Sequence, residues 1–208
     1  MSVYNPKRYN WITKLWHYFI ICFVFIPFYY GLYRLKVYGK ENVPKNKKPY
    51  IIMPNHLSNL DPPMVSAVMK IPIAYMAKKE LYSIPFWGWM ITTLGAFSVD
   101  RKKVAKTTII AIKELLQKGW PVCVFLEGTR SKTPGILGKP FLGPAYFANE
   151  NKVPILPLGI VGSDRLFGPV TVRIGKLFYP EKDLEAAKWQ CAKKLSELTG
   201  LKLPDKND

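Results

Sequence analysis

The stretch Tyr50-Ile51-Ile52-Met53-Pro54-Asn55-His56-Leu57-Ser58-Asn59-Leu60-Asp61-Pro62 decides how the rest of the chain is read. Its first five residues are a short apolar run bounded by polar residues, the pattern of a strand buried on both faces. A polar loop follows, and the spacing predicts a helix over 62–70. Two ordinary structural readings stand beside any chemical one. His56 can be a satisfied loop histidine, and Asp61 before Pro62 can be a helix N-cap with proline at the first helical position.

Downstream, the strand-then-helix pattern repeats. Strands are predicted at 71–76, 95–99, 121–126, 153–160 and 170–174, and a helix at 85–94 carrying Phe86, Trp87, Trp89 and Met90. Residues 104–118 read as an amphipathic helix with Val104, Thr108, Ala111, Ile112 and Leu115 on one face, stopped by Gly119. A last helix over 183–198 buries Leu184, Ala187, Cys191, Leu195 and Leu198. Such alternation implies an α/β fold, with a mixed, mostly parallel central sheet flanked by helices.

Upstream lies a different kind of segment. Residues 15–33 hold 19 residues without a formal charge, between Lys14 and Arg34. As a helix they extend about 28 Å, near the ~30 Å of a hydrocarbon core. Trp11, Trp16, Tyr29, Tyr30 and Tyr33 crowd the ends, as aromatic residues do at a water–lipid boundary, and His17, Pro27 and Gly31 interrupt the run. The expectation is a membrane-embedded helical segment, kinked or folded as a short re-entrant pair in one leaflet rather than a clean span. No small-residue cleavage site of a secretory signal follows it. Composition thus divides the chain into a membrane-associating segment, 1–35, and an α/β domain, 36–208.

The 208 residues allow one well-cored domain. A net charge of +17, with 25 Lys against 6 Arg, calls for a polyanionic partner. Readers of nucleic acid lean on Arg, which grips bases and phosphates with two hydrogen bonds. A Lys-rich, aromatic-rich chain fits an anionic bilayer, at about 1 kcal/mol per Lys near its surface. Composition alone leaves both partners open; with no nucleic-acid motif in the sequence, a nucleic-acid partner is not expected. Cys22, Cys123 and Cys191 are scattered without CxxC spacing, which excludes a disulfide framework or zinc site and fits a reducing compartment. With only His17 and His56, a His-based metal cluster is not expected either.

If the sheet is parallel, polar clusters follow the carboxyl ends of its strands: Asn55-His56, Asp100-Arg101 and Glu127-Gly128-Thr129-Arg130. Open α/β sheets place their sites at that edge. On one helix His56 and Asp61 would be about 140° out of phase. With His56 in the loop and Asp61 at the helix start, the chain can fold back so that the carboxylate meets one ring nitrogen. That pairing fixes the tautomer and makes the other nitrogen a general base.

The stretch from Asn55 to Asp61 resembles the NHxxxxD motif of the glycerolipid acyltransferases, the family of 1-acylglycerol-3-phosphate acyltransferase. Phe125-Leu126-Glu127-Gly128-Thr129-Arg130 is similar to that family's FxEGTR block. Gly95-Ala96-Phe97-Ser98-Val99-Asp100-Arg101 resembles its GxxFxxR block, with Phe97 one place early, and Val153-Pro154-Ile155-Leu156-Pro157-Leu158 its proline-bearing block. Ala77-Lys78-Lys79-Glu80-Leu81 and Pro85-Phe86-Trp87-Gly88 share its look, while Lys139-Pro140-Phe141-Leu142-Gly143-Pro144 matches only loosely. Order and spacing agree over roughly residues 36–176.

The resemblance implies a glycerolipid acyltransferase fold and transfer of a fatty acyl chain from acyl-CoA or acyl carrier protein to a lysophospholipid in a membrane. The leading acceptor is the sn-2 hydroxyl of 1-acylglycerol 3-phosphate, giving phosphatidic acid. Other lysophospholipids, a lyso-ornithine lipid and glycerol 3-phosphate are the alternative acceptors; hydrolysis of the thioester or lysolipid by the same base, and a non-enzymatic basic protein that binds membrane or nucleic acid, are the remoter readings. His56 is implied as general base and Asp61 as its orienting partner, with no covalent acyl-enzyme and no cofactor. Arg101, Glu127, Gly128, Thr129 and Arg130 are implied in phosphate and acceptor binding, and Asn55, Gly95, Lys78 and Pro157 in supporting places. The site is expected to face the cytoplasm from the membrane surface.

Overall fold

Strand β2 (Ile51–Pro54) is buried along its whole length and sends alternate side chains to opposite layers. Ile51 and Met53 join a cluster with Ile112, Leu115, Phe147, Cys191 and Leu195. Ile52 joins another with Tyr29, Tyr33, Met64, Val65 and Val68. These are the two faces of one sheet in the computed structural model of the protein, which describes residues 4–45, 48–83, 88, 91–92, 94–99, 106–131 and 133–205.

The other strands are β1 (Lys36–Tyr38), β3 (Ala74–Lys78), β4 (Ala96–Val99), β5 (Val122–Cys123), β6 (Ile155–Val161) and β7 (Thr171–Ile174). Their order across the sheet is β1-β7-β6-β2-β5-β3-β4. Strands β2 to β6 run parallel. Strand β7 returns antiparallel to β6 and carries β1 parallel to itself. The mixed, mostly parallel sheet expected from the alternation is therefore present, and helices flank it on both faces.

Two strands differ from expectation because of proline. β3 starts at Ala74 rather than 71: Pro72 has no N–H to enter a ladder, and pairing begins with Ala74 N–H donating to Pro121 O at 2.9 Å. β5 is regular over only two residues, yet Val124 and Leu126 N–H still donate to Ile52 O and Pro54 O at 2.9 and 3.0 Å. Pro54 has no N–H to return a bond, so the ladder continues one-sided.

Helix α1 (Trp11–Ile20) starts at Asn10, whose side chain accepts from Thr13 N–H at 3.0 Å. It continues through π turns at Ile21–Phe25 and Phe28–Leu32, which absorb Pro27 without ending the helix. One continuous helix of 22 residues results, long and apolar enough to cross a membrane by length and composition. It is not a re-entrant pair. Its His17, Ile21 and Tyr29 are buried, while Trp11, Ile12, Leu15, Phe19 and Phe23 are exposed.

α2 (Asp61–Met69) packs beside α1 on the same face; α3 (Lys106–Gln117), α4 (Gly143–Asn151) and α5 (Leu184–Thr199) supply the core of the other. α3 buries Thr108, Ala111, Ile112 and Leu115 as the periodicity predicted, and Gly119 closes it at φ 69°. α5 is capped by Asp183, which accepts from Ala186 N–H at 2.7 Å; it buries Ala187, Cys191 and Leu195, with Leu184 and Leu198 half-buried. In the helix expected over 85–94, Gly88, Ile91 and Thr92 are helical, and Phe86, Trp87, Trp89 and Met90 lie outside the described residues, as does Val104.

The topology gives α1 a direction. His17 lies against Gly95, just before the start of β4, at the amino edge of the parallel strands. Tyr29 O–H donates to Leu60 O at 2.7 Å, at the carboxyl edge. α1 therefore runs along the sheet from one edge to the other, pressed on the domain by one side.

Candidate active site

Five parallel strands bring their carboxyl ends to one edge, and the loop after β2 crosses it. Asn55 anchors that loop. Its Nδ2 donates to Ile160 O at 2.9 Å and its Oδ1 accepts from Ile160 N–H at 2.6 Å, with the side chain fully buried. A side-chain amide thus stands in for a peptide and extends the β2–β6 ladder past Pro54.

His56 comes next and is held from every side. Its Nδ1 meets Asp61 Oδ2 at 2.9 Å. Its N–H donates to Glu127 Oε2 at 2.8 Å, and its carbonyl accepts from Ser131 N–H at 2.8 Å. The Phe125 ring stacks on the imidazole at 4.2 Å between centroids and 29° between planes. Main chain, ring edge and ring face are all fixed. Among the described residues none is hydrogen-bonded to Nε2, and the side chain keeps 13% of its surface exposed.

Asp61 is not the N-cap that Pro62 suggested. Leu60 occupies the cap position, without a side-chain cap bond, and Asp61 is the first residue of α2. Its carboxylate turns back into the loop, where Oδ2 accepts from Leu57 and Ser58 N–H, both at 2.7 Å, as well as meeting His56. With Asp61 fully buried, three donors converge on one oxygen. They fix the carboxylate's orientation and hence the imidazole's, with Nδ1 as the donor wherever Asp61 is ionised.

Glu127 follows β5 and is 2% exposed. Oε2 takes the His56 N–H, and Oε1 takes the Gly138 N–H at 3.1 Å. Burial raises its carboxyl to a pKa of about 7 and the nearby Asp61 adds to the rise, against the two N–H donors, which favour the charged form. A Cβ at Gly138 would stand 3.1 Å from Glu127 Cγ, close enough to push that side chain by a few tenths of an ångström. Gly128, at φ 62°, turns the chain outward so that Thr129 and Arg130 are exposed beside the dyad.

The other residues named from the sequence are spread more widely. Arg101 lies outside the described residues, and so does the Lys78 side chain, although its backbone ends β3 at the carboxyl edge. Gly95 is at the opposite edge, where a Cβ would come within 2.6 Å of His17 Cε1 and 2.9 Å of Ile73 O. The structure thus separates Gly95 from His56 and makes it a seat for α1. Pro157 is buried within β6, opposite Met53, one step inside the edge. Phe125 and Ser131 were not singled out; Phe125 carried a signal as the first letter of its block, whereas Ser131 acts through its backbone and had none.

A family model described as acyltransferase matches residues 34–161, which contain the dyad, Phe125, Glu127 and Gly138. The chain belongs to this acyltransferase family. Among its curated relatives is a 1-acyl-sn-glycerol-3-phosphate acyltransferase of Saccharomyces cerevisiae, 34% identical over 65% of this chain and 45% of that protein. Another of the same name, from Pseudomonas aeruginosa, is 32% identical over 73% of this chain and 57% of that protein. The chain spans about half the length of the curated relatives it matches. The crystal structure of a 1-acyl-sn-glycerophosphate acyltransferase from Thermotoga maritima has the same fold, with a TM-score of 0.64 at 22% identity, covering 93% of this chain and 97% of that one.

Proposed function

We propose that this member of the acyltransferase family transfers a fatty acyl group from a thioester, acyl-CoA or acyl carrier protein, to the sn-2 hydroxyl of 1-acylglycerol 3-phosphate, yielding phosphatidic acid. The observation that carries the reading is the His56–Asp61 pair: Nδ1 is committed to a buried carboxylate while Nε2 is left without a bond among the described residues. Nε2 removes the proton of the acceptor hydroxyl as its oxygen attacks the thioester carbonyl, and the thiolate then leaves. Asp61 stabilises the imidazolium that forms. Base and acceptor do the chemistry directly, and no covalent acyl-enzyme or cofactor enters. Arg130, exposed at the same edge, and Arg101 suit the acceptor phosphate, since a guanidinium grips two phosphate oxygens. Thr129 and Gly128 line the acceptor's approach. The names of the relatives support this acceptor over another lysophospholipid, a lyso-ornithine lipid or glycerol 3-phosphate.

Glu127 also has a positioning role that its motif did not imply: with both oxygens bonded to main-chain N–H groups, it holds the His56 backbone.

Residues 1–35 serve as the membrane-associating segment and 36–208 as the acyltransferase domain, facing the cytoplasm. Because α1 presses one side on the domain from His17 to Tyr29, its other side meets lipid. That arrangement favours embedding in one leaflet over a span surrounded by lipid.

The test is an assay of purified protein with lysophosphatidic acid and each donor type. Phosphatidic acid is the expected product and His56→Ala lowers its formation by about 10²–10⁴; equal turnover of acceptors lacking the phosphate would remove the role given to Arg130.

A further inference from the structure

The loop joining β6 to β7 carries an apolar tip that neither fold nor site explains. Leu166 is 78% exposed and Phe167 50% exposed. Phe167 holds φ 55°, a left-handed backbone that a bulky side chain rarely adopts. Topology fixes where the tip lies. β6 ends and β7 begins at the carboxyl edge, beside Asn55. The α1 helix ends at the same edge: Val170 N–H donates to Tyr33 O at 3.0 Å, and the Phe167 and Tyr33 rings lie 5.7 Å apart. Leu32, the last residue of the helical run, is itself 52% exposed.

We infer that the Asp164–Gly168 loop is a second membrane contact, entering an anionic bilayer next to the end of α1. The apolar surface runs on from the helix through Leu32 to Phe167 and Leu166. Exposed Arg34, Lys36 and Arg165 flank it, with Asp164 the one acidic side chain of the loop, so the rim is cationic. An apolar tip inside a cationic rim is complementary to acyl chains below anionic headgroups. The inference rests on α1 entering lipid. It adds that the bilayer reaches the rim of the catalytic edge, so that an acceptor lipid has a short path to His56.

The test uses the full chain with Cys22→Ser, since Cys123 and Cys191 are buried. A single cysteine at Leu166, Phe23 or Lys193 is labelled with a nitrobenzoxadiazole dye and added to vesicles of equal parts phosphatidylcholine and phosphatidylglycerol. Phe23 reports the outward side of α1, and Lys193 the exposed side of α5 on the far face of the sheet. The expected result is blue-shifted emission and quenching by nitroxide-labelled lipid at 166 and 23, and neither at 193. Quenching at 23 alone overturns the inference while leaving α1 in lipid; quenching at neither overturns both. Leu166→Asp should lower partition into these vesicles roughly tenfold, and unchanged partition would count against the loop.

Discussion

The two sides of the proposed catalytic edge are built in opposite ways. On one side His56 is fixed by Asp61, Glu127, Ser131 and Phe125, and Asp61 and Glu127 are buried to within 2%. On the other, Gly128 leads to Thr129 and Arg130, which stand exposed in solvent. The difference teaches how labour is divided. Proton transfer needs a base held in one geometry before the substrate arrives, since misplacement by about 1 Å costs about 10² in rate. A charged headgroup brings its own attraction and tolerates side chains that close on it.

Breaking the fixed side should do most damage. On the proposed mechanism His56→Ala removes the base and is expected to lower kcat by about 10²–10⁴; its main-chain bonds remain, so the thermal midpoint in detergent should hold. Comparable turnover would mean another group takes the proton.

Glu127→Gln sharpens the contrast. The amide presents an NH2 to one of two N–H donors, so His56 or Gly138 loses its acceptor. The expected loss is about 10²-fold in kcat with the acceptor KM little changed. A rise confined to KM would return Glu127 to acceptor binding.

Arg130→Ala probes the open side. A charge-assisted contact to phosphate is worth about 1.5–3 kcal/mol, so KM for a phosphate-bearing acceptor should rise roughly tenfold or more while kcat holds. Acceptors without the phosphate should show no change.

The smallest effect on turnover belongs to the pH dependence of stability. Glu127 titrates near 7 when folded, against about 4.3 in an unfolded chain. A raised carboxyl pKa means that the folded state binds the extra proton. Its contribution is full below about pH 4.3 and is lost as pH rises through about 7, up to about 4 kcal/mol in all. Denaturant titrations at pH 5 and pH 8 should show this loss in the parent and a flatter profile in Glu127→Gln.

Much of this was legible in the sequence because it is carried by side-chain pattern. β2, β6, α3 and α5 are apolar runs or amphipathic repeats, and His56 and Asp61 are chemical types at a telling spacing. Elements held by backbone pairing were not. β1 is three residues with an exposed–half-buried–exposed pattern, and exists because β7 pairs with it. α4 opens with Gly143-Pro144 and has no clear apolar stripe, although Phe147 and Ala148 are buried. The site divides the same way. Glu127 was visible, but its partners are the N–H groups of His56 and Gly138, and a main-chain donor leaves no mark on residue identity. Asp61 was open to misreading for a related reason: Asp-Pro at a helix start has the same letters whether the carboxylate caps the helix or turns back to a histidine.

The hydrogen bond from Tyr29 to Leu60 O has a practical meaning for anyone handling the protein. Tyr29 and Tyr33 are each 1% exposed and pack with Ile52, Met64 and Val65, so the boundary at residue 35 cuts composition and not the core. A chain shortened to begin at 36 is expected to lose the wall behind α2 and to yield no soluble catalyst. The apolar helix and the domain share one core, and they are expected to fold as a single unit.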